Sequence, residues 1–209
     1  MHVLVADKLT CSRCGPKFGL VLRADETRER YVIQGVLGCP NCRDQYPILD
    51  GFGDLRAPPR GELTEGLTGE PLTKDPKESE YLLPLLGITS GPGIVLLIGA
   101  PSALGMGLAG LLDDIHIVGM DQDLVQWPAE SSLNRIVSKP GIPFFSQTLR
   151  GVVIDGRLGQ HWFDEAARVI APMCRVIVLN ASLTGAKWLQ IAGLEVIANE
   201  SEVVVAKSC

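Results

Sequence analysis

The chain has 209 residues, 46% of them apolar, and a formal charge of −5. That length suits one ordinary domain plus a small one, and the apolar content lets a core form. No long basic run marks nucleic acid as the default partner, although a local patch touching RNA stays open. The opening MHVLVADKL has neither the basic start nor the long apolar stretch of a secretory signal, so a cytoplasmic protein is expected.

Residues 9–19, LTCSRCGPKFG, and 37–51, LGCPNCRDQYPILDG, each carry a pair of cysteines two residues apart. Cys11, Cys14, Cys39 and Cys42 thus form C-x2-C-x24-C-x2-C. Two intervening residues let a tight turn present both sulfurs to one ion, and two such turns complete the tetrahedron that zinc takes. The run RYVIQGVL (30–37) is the strand that returns the chain to the second turn. Four protein ligands leave no open position, so such an ion is structural. Iron in a rubredoxin-like site has the same spacing, and free thiols or disulfides are the plain alternative. Arg13, Lys17 and Arg43 lie beside the turns and would offset the negative charge of four thiolates around a dication. Cys174 and Cys209 stand apart from the pattern.

Residues 1–56 resemble the Trm112-like zinc-ribbon family, whose second cysteine pair is followed by an aromatic residue and PI-x-DG. Tyr46, Pro47, Ile48, Asp50 and Gly51 match that tail, while FGDLRAP stands where the family carries an apolar exit. The resemblance implies a zinc ribbon that binds class I methyltransferases and keeps them soluble and active, or one fused to such an enzyme. Loss of a cysteine ligand is then expected to unfold residues 1–56 preferentially, because metal binding supplies much of a small ribbon's folding energy.

Residues 57–80 hold four prolines, three glycines and six acidic residues, the composition of a linker or a surface strap. From 81 onward, apolar strand-like runs alternate with helix-like runs. Strands are predicted near 94–99, 115–120, 135–138, 150–155 and 175–180, with a hairpin in 194–207. Helices are predicted over 102–114 and 161–172, the second carrying Trp162, Phe163, Ala166, Ala167 and Ile170 on one face and stopped by Pro172. Continuous apolar strands between helices indicate a mostly parallel sheet covered on both faces, here with an antiparallel edge. The most apolar window, 93–112, is broken by glycines and Pro101 and is not read as a membrane helix. The ribbon, having little core of its own, is expected to pack on this sheet.

In order and spacing, residues 94–208 resemble class I S-adenosylmethionine methyltransferases. VLLIGAPSALG falls at the first strand and glycine loop, VGMDQD at the acidic end of the second strand, and EAARVIAPMCRVIVLN at the helix and strand that follow the fourth. The resemblance implies a Rossmann-like domain whose cofactor positions are Gly99, Ala100, Asp121 and Asp155. Asp121, at a strand end, is where an acidic side chain holds ribose hydroxyls. The plain reading of Asp121 is a solvated strand-end residue, and of Asp155 an Asp-Gly turn. The family's acidic-x-G-x-G-x-G pattern is altered. Leu97 takes the acidic position, and Pro101 and Ala103 replace later glycines, so the backbone loses a donor and the close approach that glycine allows. Ser138 or Lys139 stands where an acid would follow the third strand. A dehydrogenase reading of GAPSALGMG fails, because tyrosine occurs only at 31, 46 and 81 and no Tyr-x3-Lys follows the loop. The NPPY type of motif for base methylation is absent, and His116 and His161 read as structural.

Two functions follow. One is a catalytically degenerate methyltransferase-like protein that binds and activates a partner, such as another methyltransferase or a second copy. The other is an active S-adenosylmethionine-dependent enzyme. The expected cofactors are one structural zinc and, for the enzyme alone, S-adenosylmethionine; no membrane partner is expected.

Overall fold

The computed structural model describes residues 1–67, 74–130 and 132–209. The first half runs α1 (Val3–Ala6), β1 (Thr10–Cys11), β2 (Gly15–Gly19), β3 (Val21–Arg28), β4 (Tyr31–Gly38), β5 (Gln45–Leu49) and β6 (Phe52–Arg56). β1 and β2 form a two-stranded antiparallel unit, and β3 to β6 form an antiparallel meander. β3 is exposed along nearly its whole length and reads VLRADETR, a charged outer edge that resists pairing with other chains. The strap ends in α2 (Pro76–Ser79), and after it come α3 (Leu82–Leu86), β7 (Gly93–Ile98), α4 (Gly105–Ala109), β8 (Ile115–Met120), β9 (Leu133–Lys139), β10 (Leu149–Asp155), α5 (Gln160–Val169), β11 (Ile170–Leu179), α6 (Gly185–Ile191), β12 (Glu195–Glu200) and β13 (Val203–Lys207).

Among the described residues one sheet of eleven strands runs β12-β13-β11-β10-β7-β8-β9-β6-β5-β4-β3. β11, β10, β7, β8 and β9 are parallel, and β13 and β12 close the far end antiparallel. This is the mixed sheet predicted for the second half. The ribbon does more than pack on it. β6 pairs in parallel with β9, Phe52 opposite Arg135 and Arg56 opposite Lys139, so the ribbon's meander and the second sheet are one. One buried cluster accordingly extends from Val5, Leu37 and Tyr46 through Leu55 and Ile136 to Val178 and Ala206. A second cluster on the opposite face gathers Leu82, Leu86, Leu97, Leu108, Val153 and Ile177.

Two helices are shorter than predicted. In place of a helix over 102–114 there is a 3₁₀ turn, Ala100–Leu104, and the five-residue α4. Gly105, Gly107 and Gly110 weaken the helix, but the first two permit close packing. A Cβ on Gly105 would come within 2.6 Å of Leu133 Cδ1, and one on Gly107 within 2.8 Å of the Asp75 carbonyl oxygen. The 161–172 helix ends at Val169, and Ile170 already pairs with Leu149 in β11. Pro172 sits inside the irregular start of that strand, where the register jumps from Ile170 to Arg175 and Met173 has φ 65°. No helix of the described residues is long and apolar enough to cross a membrane.

Candidate metal centre and cofactor cleft

Cys11 closes β1 and Cys14 ends the turn into β2; Cys39 follows β4 and Cys42 ends the turn before β5. Each turn is released by a residue in the left-handed region just after its second cysteine, Gly15 at φ 86° and Arg43 at φ 65°. The four sulfurs lie within 4.8 Å of one another, with Cys11–Cys42 at 3.6 Å and Cys14–Cys39 at 3.8 Å. Zinc–sulfur bonds of about 2.3 Å at tetrahedral angles require sulfur–sulfur edges of about 3.8 Å, so the donor set fits such an ion. All four are free cysteines, and Cys174 and Cys209 lie outside the cluster.

The surroundings suit thiolate ligands. The Tyr46 hydroxyl sits 3.2 Å from Cys11 Sγ, the Cys14 N–H donates to Cys11 Sγ at 3.3 Å, and Asn41 Nδ2 donates to Cys14 Sγ at 3.3 Å. Burial pushes the Cys11 thiol up, but the hydrogen bonds from Tyr46 and from the Cys14 and Arg13 N–H groups outweigh it and bring it down to about 7. Burial and the Cys11 contact push Tyr46 up, so its hydroxyl stays protonated as a donor. Arg13 pairs with Asp44 at 2.5 Å.

The second region lies at the carboxyl ends of the parallel strands. β7 has β10 on one side and β8 on the other, so the chain reverses its winding there and leaves a crevice. Gly99 follows β7, Asp121 follows β8, and Asp155 ends β10, which brings the predicted positions to one edge. Gly99 has φ 75° and donates its N–H to the Met120 carbonyl at 3.1 Å. Asp155 is fully buried and accepts from Arg157 Nη2 at 2.5 Å and from the Arg157 N–H at 3.0 Å. Burial alone would raise the Asp155 carboxyl, but the Arg157 contacts and the Ala100 N–H hold it below the usual carboxylate range. Leu97 is wholly buried in the apolar cluster on one face of the sheet, and Pro101 is buried in the 3₁₀ turn.

Asp121 is nearly buried, with Oδ1 accepting the Asp123 N–H at 2.9 Å and Oδ2 the Leu67 N–H at 3.0 Å. The second contact comes from the strap. Arg56 and Arg60 hold the start of the strap, Arg56 donating to the carbonyls of Gly61 and Glu62, and Arg60 to those of Arg56 and Gln45. Leu63 then packs with Phe52, Leu124 and Val137. The remaining cleft, about 120 Å³, is lined by Gly99, Asp121, Ser138, Lys139 and Trp162 together with Gly66 and Leu67. Composition marked the strap, but its acidic, Pro-rich sequence carries no sign that its backbone would meet Asp121.

His116 and His161 are structural here. His116 stacks on His2 at 4.2 Å, and His161 Nε2 lies 2.9 Å from the Pro140 carbonyl. The sequence reading passed over Arg135, whose buried guanidinium donates to the carbonyls of Leu124, Trp127 and Asp50 and ties β9 to the ribbon.

No protein-family model matches the chain, and no curated protein matches it. Solved structures do. Geranyl diphosphate methyltransferase in complex with S-adenosylmethionine gives a TM-score of 0.50 at 11% identity, over 64% of this chain and 85% of that one. A Methanococcus maripaludis protein described as an S-adenosylmethionine-dependent methyltransferase gives 0.48 at 16% identity, over 64% and 84%. A chain of the complex between the Haloferax volcanii Trm112 methyltransferase activator and a methyltransferase gives 0.47 at 13% identity, over 62% and 88%. The fold is the Rossmann-like methyltransferase fold, with a four-cysteine cluster at its amino-terminal end.

Proposed function

We propose that this chain is a methyltransferase-like protein that holds one structural zinc through Cys11, Cys14, Cys39 and Cys42 and serves a partner rather than transferring methyl groups itself. The observation that carries this reading is the state of the glycine loop. A cofactor with an amino-acid end needs a carboxylate for its ammonium group and backbone N–H groups at close range. Leu97 offers no carboxylate and is committed to the core, Pro101 has no N–H, and Asp155 already faces Arg157 and the Ala100 N–H. Losing one charged hydrogen bond costs about 1.5–3 kcal/mol, roughly tenfold to hundredfold in affinity. With residues 65–67 of the strap in place, the cleft of about 120 Å³ is also well below the ~300 Å³ at which small-molecule sites begin.

The ribbon's exit strand bears on the partner. β6 is bonded to β5 on one side and β9 on the other, so that edge is already used within the chain. A partner such as another methyltransferase, or a second copy, would therefore meet a different surface. Titration calorimetry with S-adenosylmethionine and its demethylated product tests the reading. The isolated chain is expected to bind neither in the low-micromolar range. Tight binding of either by the wild-type chain would restore the enzyme. Elemental analysis should give about one zinc per chain.

A further inference from the structure

The strap reaches the crevice in a particular way. Over residues 64–67 it presents donors to three consecutive residues beyond β8. The Thr64 N–H and hydroxyl lie 3.2 Å from Gln122 Oε1, the Gly66 N–H donates to Asp123 Oδ1 at 2.8 Å, and the Leu67 N–H donates to Asp121 Oδ2 at 3.0 Å. The approach requires glycine, because a Cβ on Gly66 would overlap Asp121 Oδ1 and press on the Asp123 carboxyl. Leu67 then extends over the glycine loop, its Cδ1 3.5 Å from where a Cβ on Gly99 would stand. A carboxylate at this strand end can accept hydrogen bonds from a vicinal diol. Here a peptide N–H takes up that acceptor, and a leucine side chain fills the adjoining apolar space.

We propose that residues 64–67 are an intramolecular occupant of the diol end of the cleft, so that the chain is closed to ribose-bearing ligands until the strap is displaced. The inference rests on the methyltransferase-like reading of the crevice but concerns its other half. The amino-acid end is altered by substitution, whereas the diol end keeps its carboxylate and is covered. A covered site binds with an affinity reduced by the fraction of time it is open.

Gly66→Ala in the full chain tests the idea, with adenosine as the probe in titration calorimetry and hydrogen exchange of segment 60–67 as the monitor. The wild type should keep the Gly66 and Leu67 amides protected and give no measurable adenosine binding. The variant should release those amides and bind at least about tenfold more tightly. Leu67→Pro removes the donor to Asp121 and sets its ring carbon where the N–H pointed, so it should act in the same direction, read at the Gly66 amide. Asp121→Asn in the Gly66→Ala background should abolish the gain. The proposal is overturned if both variants release the strap and adenosine still does not bind, if neither changes the exchange, or if the wild type binds adenosine with its strap amides protected. Tight binding of S-adenosylmethionine by Gly66→Ala would instead uphold the strap and overturn the degenerate amino-acid end. Released amides with no ligand bound would do the opposite.

Discussion

His2 and His116 come from the two halves of the chain and stack face to face at 4.2 Å, with Tyr31 edge-on to His2 at 5.0 Å. Burial lowers both imidazoles from their ordinary value of 6.5, His2 further through His116, Arg30 and the neighbouring amino terminus, while Asp114 partly offsets the shift at His116. Both are therefore neutral in the folded chain at pH 7, and protonation favours the unfolded chain. Their contribution to stability is full above 6.5 and is lost as pH falls through that value toward the lowered folded ones. The urea midpoint should fall between pH 7 and pH 5. His116→Phe, which keeps a stacked ring but removes one titrating group, should fall less over the same interval. Equal slopes for the two proteins would show that the pair does not titrate as described.

At the scale of elements, β6 joins the two halves. Leu55 is fully buried, lies opposite Ser138 of β9, and its carbonyl accepts the Ser12 hydroxyl at 2.5 Å. Leu55→Ala should cost about 2–5 kcal/mol. The three tryptophans, Trp127, Trp162 and Trp188, all lie beyond the strap. Their fluorescence midpoint in urea should move with that of the far-ultraviolet signal, and an unmoved tryptophan midpoint would refute the shared strand. What the sequence disclosed follows from this division. Local spacing announces the cysteine turns, because ligation is a local constraint. Apolar runs announce β7, β8, β10 and β13, because burial on both faces leaves that signature. FGDLRAP does not announce its second neighbour, since β6 pairs locally with β5 but takes its other edge from β9, about eighty residues later. The contact of Gly66 with Asp121 is equally nonlocal, and the glycines of α4 weaken a helix that close packing then shortens.

For the whole molecule, the continuous sheet changes what a metal held by the four cysteines would do. Reading residues 1–56 alone leads to preferential unfolding of the ribbon when a ligand is lost. In the folded chain, however, Cys11 and Cys39 belong to the same buried cluster as Ile136, Val152 and Val178, and β6 carries the sheet across the junction. Structural zinc in isolated zinc-finger peptides contributes about 10–16 kcal/mol, as much as the whole net stability of an ordinary domain, about 5–15 kcal/mol. In the proposed zinc-bound chain that energy would be shared by strands that never touch the ion. Chelation, or Cys39→Ser, should lower the thermal midpoint read by the tryptophans together with that read by reaction of the Cys11 thiol, in one coincident transition. Two separated transitions, with the tryptophan one unshifted, would mean that the ribbon melts on its own and that pairing of β6 with β9 does not couple the halves. A single lowered transition would make the four cysteines a stabilising element of the methyltransferase-like half, to which residues 1–56 are joined by the pairing of β6 with β9 and by contacts such as His2 N–H to Asn134.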